Sequence, residues 1–599
     1  MALKDTKNSF QNIFRTSKWV LSLIYQVRPK LLITTLIFEI FISVLPFVRN
    51  RLFSNVIDQS IASIKFNNNT WLLPFSLFIG VSLIVAGVFY LQNYFAQMLN
   101  DYIFNDLRIT YINKISSLDF QHFENRDTAN LISKTNDEYR WRTQQVIRDI
   151  NNLLSNAISL ITVGIIIIPN YWYLGVLLIV CQIPNVRLQY QLVKKDWEFY
   201  NSQSESIRQG WDIEWQLTNK NYLAEVNLNR SKNFLFNKAS TIWHSFTEGT
   251  LNIRRRAVSR QLLNVFLSSI AIAICLFVLI NNVRQGLLTI GLFTFYFSSI
   301  QQVNDIFTGF VNSFISISQQ DLYIANFKKI MELTNPISSG NFIPEKFSPP
   351  LIEFKNISFK YPDTDNYIFK NFNLTIKPGE EVAIVGANGA GKTTLIKLLL
   401  RYYDPESGEI LVNNLNIKDY RLSDWYKYLS FLSQEFNTYY NLSLRENILI
   451  SRPQITSDKR VISALKKADA YSYTKKYKQG LDTMMSQKYG GEEPSWGQWQ
   501  KIVIARVFYR RAPIMILDEP TSSIDAVSEA KIFNNIYRKN NHKTLIIVSH
   551  RFSTVRNAER IIVLDKGQIM EQGTHQELLK LNGLYAKSFN LQAKGYQEV

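Results

Sequence analysis

The chain has 599 residues, too many for one ordinary domain, so two or more are expected. Its mean hydropathy of −0.08 averages an apolar first half with a polar second half. The formal charge of +19 is spread through loops such as Arg187–Arg260 and forms no single face with interleaved aromatics. That pattern argues against a nucleic-acid partner and for a membrane protein with basic cytoplasmic loops. Cys181 and Cys275 lie inside apolar runs and read as buried thiols, so no disulfide framework is expected. The five histidines lack ligand-type spacing, which makes a zinc site an unpromising reading.

In chain order, Met1–Gln11 is polar and lacks a cleavable signal pattern, so the first apolar helix is expected to act as an uncleaved anchor. Trp19–Tyr25 is amphipathic and reads either as an elbow on the membrane surface or as an ordinary helix extension. Apolar runs of membrane-crossing length follow at Leu31–Val48, Trp71–Phe95 and Leu262–Ile280, with Leu287–Ile317 longer and more polar. Leu153–Leu188 is best divided at Pro169-Asn170 into two helices joined by a tight turn, giving about six spans. Long basic stretches fall between the second and third spans and between the fourth and fifth. The turns at Pro169-Asn170 and Asn281–Arg284 are short and nearly uncharged. Basic residues favour the cytoplasm, so a multi-pass protein of the cell membrane with both termini inside is expected. Arg49, Arg51 and Lys65 run against that rule without outweighing it. Arg254-Arg255-Arg256 fits anionic headgroups or ordinary topology charge equally well.

Glu39 falls well inside the first span, where a carboxylate costs roughly 2.5–3.5 kcal/mol on insertion scales and should face water or a partner. Ser298, Gln302, Asp305, Gly309, Asn312 and Ser316 recur at helical spacing and make one stripe of the last span polar. Glu39, Gln302 and Asp305 are therefore candidates for lining a water-filled cavity within the membrane, one that would favour cationic or peptide-like molecules. Hydrogen bonding between helices is the competing explanation.

Ser338-Ser339-Gly340 and Pro344–Pro350 mark a linker. The expected division is a transmembrane domain over 1–330, a linker over 331–350, a nucleotide-binding domain over 351–592 and a tail over 593–599. The third segment alternates short β-rich runs with helices, as α/β nucleotide domains do. It contains Gly386-Ala387-Asn388-Gly389-Ala390-Gly391-Lys392-Thr393, which matches the phosphate-cradling loop G-x-x-x-x-G-K-[ST] at every fixed position, with Thr394 following. Val382–Val385 supplies the preceding strand and Leu395–Leu400 the following helix. Converging N–H groups and the helix N-terminus favour phosphate there, with Lys392 reaching the β- and γ-phosphates and the Thr393 hydroxyl taking magnesium. Ile514–Asp518 reads as a buried strand ending in a carboxylate suited to hold magnesium through water, and Glu519 follows where it can polarise an attacking water. His550, after the apolar strand Leu545–Val548, is placed to bond the γ-phosphate, although a lone histidine is more often structural.

Taken together, these residues resemble the ABC transporter family, specifically exporters that fuse a six-span helical membrane domain to an α/β P-loop ATPase domain. The resemblance covers almost the whole chain and is strongest from Leu351 to Leu591. It implies that Tyr361 stacks on adenine and that Gln434 links magnesium to the membrane domain. It further implies that Ser522-Ser523-Ile524-Asp525 is an inter-subunit loop, and that Pro494-Ser495-Trp496-Gly497-Gln498 stands where the family has Leu-Ser-Gly-Gly-Gln. Ser495, Gly497 and Gln498 are kept. Trp496 replaces the first signature glycine, and a positive φ there would cost on the order of 1–3 kcal/mol. Because one chain holds one phosphate loop and one signature, the resemblance implies a dimer with ATP and Mg2+ clamped at the seam. A homodimer is expected, or a heterodimer in which this chain is a catalytically weakened subunit. Ser117–Arg126, with Phe120, His122 and Phe123, and the stretch near Lys220–Glu225 are similar to coupling helices, which could enter a groove near Gln434 or pack as ordinary helices. Trp211–Phe236 and Gly497–Ile502 are similar to lantibiotic and bacteriocin-type peptide exporters, while exporters of lipids or drugs share the layout. A non-transport ABC ATPase would share the motifs but lack the apolar spans.

Overall fold

The computed structural model describes residues 17–22, 24–362, 364–521, 523–537 and 543–597. Met1–Gln11, expected as the polar start, and Ser522, expected in the inter-subunit loop, lie outside the described residues. Contacts divide the chain into two units, one of Met1–Ser117 with Asn130–Leu333 and one of Leu118–Ala129 with Thr334–Val599.

The first unit is helical. Its long helices are α1 (Pro29–Phe66), α2 (Leu72–Ser116) and α4 (Arg126–Ser202), with the short α3 (Gln121–Glu124) belonging to the second unit. After these come α5 (Ser204–Thr218), α6 (Lys220–Leu228), α7 (Lys232–Arg284) and α8 (Ile290–Glu332). The described residues of the amphipathic stretch before α1, 17–22 and 24–27, are helical, with Val20 and Ile24 buried. Arg28, at φ −138°, breaks it from α1, because a residue before proline is pushed out of the helical region. An ordinary helix extension is therefore not what forms.

Along α1, Leu32, Thr35, Glu39, Ser43 and Phe47 are buried at helical spacing, whereas Ile33, Ile37, Ile40 and Phe41 are exposed. Polar groups inside and large apolar groups outside reverse the pattern of a water-soluble helix. Among the described residues, four helices carry a stretch long and apolar enough to cross a membrane, Pro29–Phe66, Leu72–Ser116, Gln144–Ser202 and Lys232–Arg284, whereas the expected, more polar run Leu287–Ile317, most of it in α8, is not one of them. The third turns back on itself at Tyr171, whose φ of −139° and ψ of 36° are non-helical. A Cβ at Gly175 would lie 3.7 Å from Ile167 Cγ2, yet residues eight apart on a straight helix are separated by about 12 Å along the axis. The break falls one residue after the expected Pro169-Asn170 turn. At this end of the bundle Asn282 donates to the Tyr171 hydroxyl and Asn170 to the Tyr296 hydroxyl. Asp58 caps α8 by accepting from the Thr289 hydroxyl and the Gly291 N–H.

In the second unit, a four-stranded antiparallel sheet runs in the order β2-β1-β4-β5, formed by β1 (Ile352–Phe359), β2 (Phe369–Ile376), β4 (Ser407–Val412) and β5 (Leu415–Asn416). A six-stranded sheet runs in the order β10-β9-β3-β8-β7-β6. Its strands are β3 (Glu381–Gly386), β6 (Leu429–Leu432), β7 (Ile514–Asp518), β8 (Thr544–Val548), β9 (Arg560–Asp565) and β10 (Gln568–Gly573), parallel except for the β10 edge. Strands β7 and β8 are buried along their whole length, as covered parallel strands are. Ile514, Ile516, Ile546 and Val548 pack on one face with Leu395 and Ile396. The alternate residues Met515, Leu517, Leu545 and Ile547 pack on the other with Ile502 and Val503.

Candidate nucleotide-binding site

Strand order assembles the site. β3, β8, β7 and β6 are parallel neighbours, so the segments leaving their carboxyl ends emerge side by side. These segments carry, in turn, the Gly386–Thr393 loop, His550, Glu519 and Gln434, whose codes are scattered over 165 positions of sequence (550 − 386 + 1).

The loop opens into α9 (Lys392–Leu399), capped by Gly391 at φ 102°, a conformation that glycine adopts without strain. The Lys392 side chain is buried and its Nζ donates to the carbonyls of Gly386 and Ala387, both at 2.9 Å. The ammonium thus lies across the loop that would receive phosphate. Burial holds its pKa below the ordinary value, with the Glu519 and Asp518 carboxylates pulling the other way. Thr393 is exposed, whereas Thr394 is buried and shares a 3.0 Å hydrogen bond with the Tyr361 hydroxyl. The Tyr361 ring meets Tyr403 edge-on and lines a cavity of about 640 Å³ with Lys360, Pro362, Asp404 and Glu406.

Asp518 ends β7 and is buried. Burial, reinforced by the adjacent Glu519 carboxylate, raises its pKa to about 6, while Lys392 opposes the shift. Glu519 stands at φ 46°, a left-handed conformation that costs a side-chain-bearing residue on the order of 1–3 kcal/mol. Its N–H donates to the Val548 carbonyl at 2.8 Å. Gln434 Nε2 donates to Glu519 Oε2 at 3.3 Å, and His550 Nε2 lies 3.5 Å from Oε1, so the carboxylate is held from both sides. Burial and Lys392 keep the His550 pKa below its usual value, with Glu519 acting against them.

Among the described residues, no group of three or more His, Cys, Asp or Glu could hold a metal by itself. The donors at the site are hard oxygens: the Thr393 hydroxyl, the Asp518 carboxylate and Gln434 Oε1, left over once Nε2 faces Glu519. Such a set suits magnesium completed by phosphate oxygens and water.

The signature segment opens α10 (Trp496–Arg510). Ser495 accepts from the Gln498 N–H, and Gln498 Oε1 accepts from the Ser495 N–H, a closed capping box. Trp496 takes the first helical position and is not among the positive-φ residues, so the strain foreseen for it does not arise. Its ring stacks on Phe436 at 4.6 Å. A Cβ at Gly497 would lie 2.6 Å from the Ser523 carbonyl, so glycine is required there by close approach. Among the described residues, no hydrogen bond joins Ser495, Gly497 or Gln498 to the phosphate loop. Asp525 caps α11 (Ala526–Ile536) by accepting from the Ser528 N–H, and these bonds push its pKa down to about 2.

Sequence reasoning missed several supporting residues. Buried Gln500 accepts from the Ser523 N–H, and Lys501 bridges Asp469 and the Ser528 hydroxyl. Phe120 stacks on Tyr402, with ring centroids 4.8 Å apart. Gln121 donates to the Tyr402 carbonyl, while Glu124 accepts from Lys397 and the Tyr403 hydroxyl. Tyr402 also lines a groove of about 530 Å³ with Ser433, Phe436 and Arg506, next to Gln434.

In the membrane unit, Glu39 is buried and accepts from Gln92 of α2, Gln302 is half-buried, and Asp305 is exposed. Part of the polar stripe on α8 serves helix contacts: Ser316 donates to Asp149, and a Cβ at Gly309 would lie 2.9 Å from the Asn156 amide. Gln182 donates to Asn304 and Ser268, a cluster not singled out from the sequence.

Residues 369–522 match the ABC transporter family. The subtilin transport ATP-binding protein SpaT of Bacillus subtilis is 29% identical over 571 residues, 94% of this chain and 92% of that one. An ATP-dependent lipid A-core flippase of Alcanivorax borkumensis is 30% identical over 347 residues, 58% of this chain and 59% of its own length. The structure of a bacterial Atm1-family ABC exporter with ATP bound aligns with a TM-score of 0.79 over 95% of this chain and 99% of that one, at 21% identity. Residues 369–522 are thus an ABC transporter ATP-binding domain, joined in this chain to a helical membrane domain in the fold of an Atm1-type exporter.

Proposed function

We propose that two copies of this chain hydrolyse ATP to export a peptide-like or lipid cargo across the cell membrane. The observation that carries the proposal is the Glu519 carboxylate, held between Gln434 and His550 beside a phosphate loop whose Lys392 is already buried. In this reading the N–H groups of Gly386–Thr394 cradle phosphate and Tyr361 meets the adenine. Lys392 gives up its two loop carbonyls to reach the β- and γ-phosphates. Magnesium, held by Thr393, Gln434 and, through water, Asp518, would screen phosphate charge.

Glu519 orients and polarises the attacking water, while His550 donates toward the γ-phosphate. Ser495, Gly497, Gln498 and the N-terminus of α10 complete the site from the second copy, and Asp525 lies in the loop between subunits. The intact capping box and unstrained Trp496 support a competent signature and hence a homodimer. ATP would draw the two nucleotide domains together and turn the cavity outward, and hydrolysis would reset it.

Glu39, Gln302 and Asp305 remain the proposed cargo path, with Glu39 exchanging Gln92 for cargo. The names of the relatives, a subtilin transporter and a lipid A-core flippase, support peptide or lipid as cargo class. The turns gathered near Tyr171, Asn282 and Thr289 carry few basic residues, which supports an outward face there and cytoplasmic termini.

The full chain reconstituted in lipid vesicles should hydrolyse ATP. Glu519→Gln should lower turnover at least about 100-fold, a size typical for removal of a transition-state group. It should leave nucleotide binding in place. Unchanged turnover in that variant, or no turnover in the parent chain without a second gene product, would overturn the proposal.

A further inference from the structure

The Trp496 indole is more than half exposed, yet one face lies against Phe436, with ring centroids 4.6 Å apart and planes 24° from parallel. Phe436 is itself buried in the core that contains Trp499, Ile502 and Leu517. It lies two residues after Gln434, whose amide holds Glu519. The start of α10 is also fixed on another side: Gly497 abuts the Ser523 carbonyl, and Gln500 accepts from the Ser523 N–H, four residues after Glu519. Two chain segments thus lead from α10 to the same carboxylate, one through the main chain after Glu519 and one through Phe436 and Gln434. A glycine at 496, as at the corresponding position of the family signature, would have no ring to form the second link.

We propose that Trp496 is a positioning residue: its stack on Phe436 fixes the Gln434 segment against α10 and so holds Glu519 in place. The proposal rests on the reading of Glu519 as the group that polarises water. The contact acts on geometry, so it should move turnover and leave nucleotide affinity alone.

The test uses the full chain in lipid vesicles, with turnover measured from phosphate release and affinity from binding of a fluorescent ATP analogue. Trp496→Ala should lower kcat about five- to tenfold, the size expected for loss of an aromatic pair. Affinity should change less than about twofold. In a Gln434→Ala background the same substitution should cost less than about twofold, because its route to Glu519 is already cut. Trp496→Phe should restore kcat to within about twofold of the parent.

Full turnover in Trp496→Ala, an equal cost with and without Gln434, or failure of phenylalanine to rescue would each overturn the proposal. A parallel loss of nucleotide affinity would mark a purely structural role and overturn it as well. Absence of turnover in the parent chain would instead remove the functional reading on which the proposal depends.

Discussion

At the residue scale the site is a compact set of opposed charges. Asp518 is buried beside Glu519, and its pKa rises to about 6, above the unfolded carboxylate value of about 3.9. The folded chain therefore holds this proton more tightly than the unfolded one. In the absence of magnesium and nucleotide, the stabilisation is complete below about pH 4 and is lost as pH rises through about 6. Asp518→Asn should remove that slope, on the order of 2–3 kcal/mol, in chemical denaturation followed between pH 4.5 and 7.5. An unchanged slope would mean that another group titrates. Lys392 belongs to the same balance, since its two carbonyl bonds must be replaced when phosphate enters. Glu519 shows why a motif alone understates a site: its φ of 46° and its two flanking side chains come from three different strand ends.

At the scale of elements, legibility followed the range of the signal. The strands ending at Gly386, Asp518 and Val548 were readable because covered parallel strands need unbroken β-branched and apolar runs. The phosphate loop was readable because its glycines, lysine and threonine are adjacent in sequence. The stack of Trp496 on Phe436 was not, because its partners are 60 positions apart (496 − 436) and neither residue type announces the other. The same holds for Glu124, whose two partners, Lys397 and Tyr403, lie far along the chain. The 118–129 segment links α2 to α4 in sequence but packs with the ATP-binding unit. We infer that the segment couples cargo handling to ATP use, with Phe120 and Glu124 as its anchors in the ATP-binding unit. Glu124→Ala should cost less than about 1 kcal/mol in stability, since a partly exposed ion pair contributes little. It should nevertheless reduce the stimulation of ATPase activity by cargo severalfold while leaving basal turnover in place. Equal stimulation in parent and variant would remove that role.

At the scale of the whole molecule, the apolar runs of the first half fall in helices long and apolar enough to cross a membrane, except the more polar Leu287–Ile317, most of it in α8, and the chain reversal at Tyr171 comes one residue later than the Pro169-Asn170 pair suggested. Proline restricts its predecessor, yet a helix can absorb it where neighbouring residues satisfy the freed backbone groups. Glu39 shows the limit of reading polarity alone: a carboxylate in a span must find a partner, and Gln92 of α2 supplies one that no local pattern points to.

The proposed function has ATP at the phosphate loop of one chain completed by the signature of another. It is tested most directly with Ala387→Cys and Ser495→Cys placed in the full chain carrying Glu519→Gln, which should hold ATP without turnover. A short thiol cross-linker should join residue 387 of one copy to residue 495 of the other in magnesium and ATP, giving a covalent dimer that is scarce without nucleotide. Saturating ATP binding with no cross-linked dimer above the nucleotide-free level would contradict the account.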